Sequence, residues 1–281
     1  MMNKHTKVNS ILYHTFVLLF GFVMIYPILW MIASSLKPES EIFQNAASLI
    51  PSILQWENYI RGWEGFGRVD FSVFFTNSVI VSGLVVIGSL FSASLVAFGF
   101  ARLDFKFKKI LFACLLATVM LPMQVTLIPQ YIMFHYLGWV NTFYPLIVPA
   151  FIGGVPFFIF LMIQFIRGIP KELDEAAVID GCSTYGIFWR IILPLTKPAL
   201  VTVAIFSFMW SWDDFFSALI YLNRPELYTV ALALANFLDS SDATAWGPLL
   251  AMSSLSLLPQ FILFLFFQKY LVQGIATTGL K

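Results

Sequence analysis

Long apolar runs separated by short polar passages make up most of the chain. Six runs approach or exceed the roughly 20 residues a helix needs to cross a bilayer. They lie near residues 10–36, 76–101, 110–134, 143–166, 199–221 and 248–272. The first carries no acidic or basic residue other than His14. Pro122, Pro129, Pro156 and Pro259 fall inside runs. They predict kinks, which a membrane helix tolerates where neighbouring helices or water satisfy the freed backbone groups. Small residues recur along the second run (Gly83, Gly88, Ser89, Ser92, Ala93, Ser94, Ala97), the pattern of a close-packing face. The pattern predicts an all-α polytopic membrane protein with six transmembrane helices, built as one transmembrane domain over residues 1–281.

One polar, charge-balanced passage, residues 167–198, interrupts this pattern between the fourth and fifth runs. Pro170 suits a helix start, where its missing N–H is not needed. Glu172, Asp174 and Glu175 then sit in the first turns, where carboxylates meet the positive helix end. Leu173, Ala176 and Ala177 are expected on one face. Gly181 can close the helix in a left-handed conformation. Ser183 or Thr184 can cap a second helix carrying Ile187, Phe188, Ile191 and Ile192, expected to stop before Pro194. The prediction is a short helix, a turn and a second short helix pinned between two spans. A small-residue helix face held at a membrane surface is a docking surface in outline.

Composition sharpens the class. Of 281 residues, 59% are hydrophobic and 11% charged, against about 25% charged in soluble domains; mean hydropathy is +0.85. A net charge of +1 argues neither for nor against nucleic acid, and no nucleic-acid partner is expected. Cys114 lies in an apolar run and Cys182 in the polar passage, so a disulfide between them is not expected. His5, His14 and His135 are scattered and form no metal cluster. The first run is too long for a secretory signal and lacks a small-residue cleavage site. The Lys and Arg residues divide twelve to four. Lys4, Lys7, Arg102, Lys106, Lys108, Lys109, Arg167, Lys171, Arg190, Lys197, Lys269 and Lys281 fall on one side, and Lys37, Arg61, Arg68 and Arg224 on the other. The positive-inside rule then puts both termini and the 167–198 loop in the cytoplasm, with 37–75 and 222–247 outside. Trp56, Tyr59 and Trp63 fit an aromatic belt at the outer surface or a partner contact there.

Glu175-Ala176-Ala177, three residues, Gly181, nine residues, then Ile191-x-Leu193-Pro194 resembles the signature of permease subunits of bacterial ABC importers. Further runs are similar to carbohydrate-importer permeases: Ala97–Arg102 with Phe105, Leu121–Tyr131, Leu137–Thr142, and the tail Gln268–Gly274 with Thr278–Lys281. The last is similar to the six-span partner of maltose-type heterodimers. The resemblance implies a multi-pass subunit of a bacterial inner or plasma membrane that pairs with a homologous second permease. Two cytoplasmic ATPase subunits would bind the loop, and an extracytoplasmic solute-binding protein would deliver a sugar or oligosaccharide. By position, Glu175, Ala176, Ala177, Asp180 and Gly181 become the ATPase-coupling residues. The chain has no G-x-x-x-x-G-K-[ST] phosphate loop. It is therefore expected to be non-catalytic and to hold no cofactor, ATP and Mg being bound by the partner ATPases.

Asp213 and Asp214 stand about 21 Å into the fifth run if it is helical throughout. Ionisable groups at such depth are functional candidates. Neighbouring helical side chains diverge by about 100°, so both face one path only if the helix breaks there. One reading places either carboxylate in the solute path, accepting hydrogen bonds from sugar hydroxyls, with Trp210 or Trp212 stacking on a sugar ring. The other ends the helix early, leaving both in a water-filled mouth or against a partner chain. The resembling family often has Asn where Asp213 stands. Gln124 and Gln130 in the third run and Ser253, Ser254, Ser256 and Gln260 in the sixth suit either a path for a neutral polyol or helix–helix hydrogen bonds. Residues 236–247 match in position the loop that, in the maltose-type partner they resemble, reaches toward the binding protein; an ordinary solvated turn is the other reading. A proton-coupled secondary transporter using Asp213 and Asp214 is the alternative, but it gives the 167–198 loop no role. No Ser/His/Asp or H-E-x-x-H constellation supports an intramembrane enzyme.

Overall fold

A computed structural model describes residues 4–240 and 245–276. Among these residues there is no β-strand; an isolated bridge pairs Phe66 with Val69. In chain order the helices are α1 (Lys4–Ser35), α2 (Glu39–Gln44), α3 (Glu57–Trp63), α4 (Phe71–Arg102), α5 (Lys108–Met120), α6 (Met123–Tyr136), α7 (Tyr144–Phe151), α8 (Pro156–Arg167) and α9 (Glu172–Ile179). There follow α10 (Thr184–Ile187), a π-turn (Phe188–Ile192), α11 (Leu193–Leu195), α12 (Lys197–Trp212), α13 (Phe215–Tyr221), a 3₁₀ turn (Pro225–Leu227), α14 (Val230–Ser240), α15 (Trp246–Ser256) and α16 (Leu258–Ala276). Four stretches are each long and apolar enough to cross a membrane: Leu12–Ser35, Phe71–Arg102, Tyr144–Arg167 and Trp246–Lys269. Counting each of two bent helix pairs as one span brings the number to six.

The bends lie where backbone chemistry demands them. α5 ends at Met120, and Pro122, with no N–H to give, stands as the N-cap of α6. The expected kink at Pro156 is a full break. Gly153 (φ 150°) and Gly154 (φ 58°) take conformations closed to most side chains, and Pro156 opens α8. Pro129, by contrast, sits inside α6 without ending it.

The chain divides into two compact units, Met1–Phe71 with Leu234–Leu258 and Ser72–Ala233 with Pro259–Lys281. In the first, α15 packs on α1, α2 and α3. Lys37 is completely buried there, its Nζ donating to the carbonyls of Asn45 (3.0 Å) and Ser48 (2.6 Å). A buried ammonium is tolerated only with such partners. Asn58 Nδ2 donates to the carbonyls of Ser35 and Lys37. The Glu39 carboxylate accepts the N–H groups of Trp246 (2.8 Å) and Gly247 (3.0 Å), which opens α15 with a negative charge at its positive end. α1 leaves its apolar surface exposed from Leu12 to Phe20, as a lipid-solvated helix does.

The second unit has its core around Ala93, Ala97, Phe98, Phe158, Ile159, Met162, Ile163, Ile166, Ala199 and Val203. The small-residue face of α4 is a packing seam, as its spacing predicts. Ser207 Oγ donates to Ser89 Oγ (3.1 Å), and Ser92 Oγ to the Ala150 carbonyl (2.7 Å). A Cβ on Gly88 would stand 2.6 Å from the Phe151 ring. Gly83, in contrast, faces open space.

Candidate functional site

The 167–198 loop is built as its sequence implies, with two differences. α9 begins at Glu172, with Glu172, Asp174 and Glu175 in its first turn. At its other end the Cys182 N–H donates to the Ala177 carbonyl (2.8 Å) and the Gly181 N–H to the Val178 carbonyl (3.0 Å). With Gly181 at φ 77° this is a complete Schellman closure. Ser183 then caps α10, its Oγ accepting from the Gly186 N–H (3.3 Å). The first difference concerns Pro194. The helical path continues past it to Leu195, because the π-turn Phe188–Ile192 widens the backbone just ahead of the proline. The path then turns by 74° into α12.

The second difference concerns faces. Leu173, Ala176 and Ala177 do not share one. Ala177 is buried and joins the core of the second unit, together with Ile187, Phe188 and Ile192. Leu173, Glu175, Ala176, Asp180 and Gly181 are exposed. Beside them lie large apolar side chains facing outward: Ile179 is 86% exposed, Tyr185 78% and Val178 60%. Asp174 points inward, its Oδ2 2.7 Å from Arg102 Nε. The loop thus has one face sewn into the bundle and one face open.

Asp213 and Asp214 stand where the fifth span breaks. Asp213 is the C-cap of α12 and Asp214 the N-cap of α13, with Asp214 Oδ1 accepting from the Ser217 N–H (3.0 Å). Gln260 Nε2 donates to Asp213 Oδ1 (2.7 Å). The break frees the two side chains from a fixed helical divergence, and each carboxylate has a different task.

Asp214 borders two cavities. One, of about 380 Å³, is also lined by Val81, Val85, Ser207, Trp210, Ser211 and Thr229. The other, of about 460 Å³, is lined by Thr118, Thr126, Gln130, Ser217 and Tyr221 among others. Trp210 stacks one face on Phe158, with ring centroids 5.0 Å apart. Trp212 is buried between Phe75 and Phe208 and borders neither cavity. Gln124 is exposed on α6 and also lies outside both cavity walls. Ser253, Ser254 and Ser256 donate to carbonyls of their own helix. Of the six residues expected to line the path, Asp214 and Trp210 thus meet at one cavity, while Gln260 reaches Asp213.

Two buried hydroxyls without partners, Tyr221 Oη and Thr229 Oγ1, belong to these walls. Their residue types gave no sign of it, because the α13 break and the loop after it place them. The tail Thr278–Lys281 lies outside the described residues, as do residues 241–244 of the 236–247 segment.

The fold and the loop have counterparts. The model of the family described as binding-protein-dependent transport system inner membrane component matches residues 85–277. The chain is 38% identical over 266 residues to the probable ABC transporter permease protein YurM of Bacillus subtilis, covering 95% of this chain and 87% of that one. It is 35% identical to the arabinooligosaccharides transport system permease protein AraQ of Halalkalibacterium halodurans, over 93% of this chain and 92% of the relative. Its fold matches a chain of a bacterial ABC transporter involved in the import of the acidic polysaccharide alginate, with a TM-score of 0.81 at 21% identity, over 96% of this chain and 99% of that one. The chain is a multi-pass membrane protein that belongs to the family of inner-membrane components of binding-protein-dependent transport systems.

Proposed function

We propose that this chain is one of two homologous permease subunits of an ATP-driven importer for a sugar or oligosaccharide. Its carrying observation is the divided loop. α9 buries Ala177 in the bundle and presents Glu175, Ala176, Asp180, Ile179 and Tyr185 outward. An exposed apolar patch held on a rigid base, at a loop rather than along a lipid-facing span, has the form of a protein contact. Its occupant is a cytoplasmic ATPase subunit, which binds the ATP and Mg that this chain has no phosphate loop to hold. Glu175 and Asp180 supply polar anchors and Ala176 permits close approach. Gly181 sets the turn, and Ala177 fixes α9 to the core. The twelve-to-four division of Lys and Arg supports a cytoplasmic position for this loop and both termini.

Closure of the ATPases would press on α9 and switch the two permeases from an inward to an outward opening, toward a docked extracytoplasmic binding protein. Hydrolysis would reset them. A sugar suits the cavity walls at Asp214, Trp210 and Gln130, which combine acceptor, aromatic and amide groups. The carbohydrate name of AraQ supports the same class. The proton-relay alternative finds no support, since Asp213 is held by Gln260 and Asp214 caps α13.

The test is purification through this chain followed by uptake in proteoliposomes. ATPase subunits and a second permease are expected to come down with it, and labelled sugar bound by the cognate binding protein is expected to enter only with internal ATP. Uptake that persists without any ATPase and stops with the proton gradient would overturn the reading.

A further inference from the structure

α9 is tied to the bundle at more than its alanine. Arg102 closes the last turn of α4, and Asp174 lies in the first turn of α9. Their N–O separation is 2.7 Å, with side chains only 6% and 18% exposed. The same guanidinium donates through Nη2 to the Ile169 carbonyl, also at 2.7 Å. Arg102 therefore grips both the strand of chain entering α9 and the helix itself. Each charge also complements a helix end, a cation at the end of α4 and an anion at the start of α9. Burial keeps the pair from being screened as a surface bridge would be. An apolar pair would give as much stability in such a place, so stability alone does not account for it.

The position of α4 supplies a role. About 26 Å along this helix from Arg102, at 1.5 Å per residue, Val85 and then Val81 line the 380 Å³ cavity beside Asp214 and Trp210. Between them, Ser89 and Ser92 bond α4 to α12 and to the end of α7. One continuous helix thus runs from the base of α9 to the cavity wall.

We propose that Arg102 is a positioning residue for transport, the link through which displacement of α9 is passed along α4 to the cavity. Arg102 touches no solute and no ATPase; it acts through Asp174 and Ile169. This rests on the reading that an ATPase subunit grips the outer face of α9.

The experiment uses the whole complex, isolated through this chain and placed in nanodiscs. ATP hydrolysis is measured with and without the binding protein, and hydrogen exchange is followed across residues 172–179. Arg102→Ala and Asp174→Ala are expected to keep their ATPases, since the outer face is untouched. The stimulation of hydrolysis by binding protein should fall at least fivefold, with faster exchange confined to 172–179. Arg102→Lys should recover less than half of the stimulation, because one ammonium does not reproduce the fork that reaches Asp174 and Ile169 together. The exchanged pair Arg102→Asp/Asp174→Arg should recover part of it. Stimulation within twofold of wild type in both alanine variants would overturn the proposal. So would exchange that rises through α4 and α8 as well, which makes Arg102 a folding residue only. A wild-type complex that carries no ATPase would overturn the underlying reading instead.

Discussion

Gly181 is the residue on which the shape of the loop turns. Its φ of 77° lets the Schellman hydrogen bonds close, and a Cβ there would meet no neighbour. The demand is therefore on backbone conformation and not on space. Gly181→Val is expected to cost about 1–2 kcal/mol of local stability, read as faster amide exchange at Gly181 and Cys182 while the spans stay protected. Lys37 makes the opposite demand. It is wholly buried against two carbonyls, and Lys37→Met leaves its stem but removes the donors. A loss of about 1–3 kcal/mol is expected, seen as a lowered melting temperature in detergent. Glu41 gives the same segment a pH dependence. The Ser52 hydroxyl (2.6 Å) and N–H (3.3 Å) donate to its Oε2, and the hydroxyl foremost holds the carboxyl below its usual range. Its contribution is therefore present above the unfolded carboxylate value and is lost as pH falls through the lowered folded one. Amide exchange at Ser52 should quicken over that acid window, and Glu41→Gln should abolish the dependence.

At the scale of elements, the α4 seam shows what a small residue is for. The Phe151 ring and the Ala150 backbone occupy the space beside Gly88, so Gly88→Leu should drive α4 off α7 and lower both melting temperature and yield in the membrane. Gly83→Leu, on the same helix but facing open space, should be tolerated; equal damage from both would contradict the seam. This face was legible in the sequence because close packing leaves a periodic trace of Gly, Ala and Ser. The six apolar runs were legible for the same reason, as were the Gly181 turn and the Ser183 cap, which depend on residues adjacent in the chain. The break at Asp213–Asp214 was legible only as a condition for the two carboxylates to act together. The division of α9 into Ala177 inward and Ala176 outward was not legible. An alanine fits either side of a helix, and only the neighbouring Ile187 and Phe188, brought back by the Schellman turn, decide which one is covered. The Arg102–Asp174 pair was hidden by its sequence separation, since no local pattern joins the end of the second span to the first turn of a helix in a later loop.

For the whole molecule, the account makes the chain a passive half of a machine, with force arriving at one loop and solute passing elsewhere. On that account Asp214 is a wall group and Asp213 the partner of Gln260, neither of them a proton carrier. Asp214→Asn keeps an oxygen able to accept from the Ser217 N–H but removes the charge, so it should change which solutes pass without making ATP-driven uptake depend on the proton gradient. The central claim is that the open face of α9 belongs to an ATPase. A photo-crosslinking side chain placed at Ile179, 86% exposed, and separately at Ile187, 7% exposed, tests it directly in the complex as isolated from membranes. The account predicts a crosslink from position 179 to a nucleotide-binding subunit and none from position 187. A crosslink from 179 only to lipid or to this chain itself would contradict it.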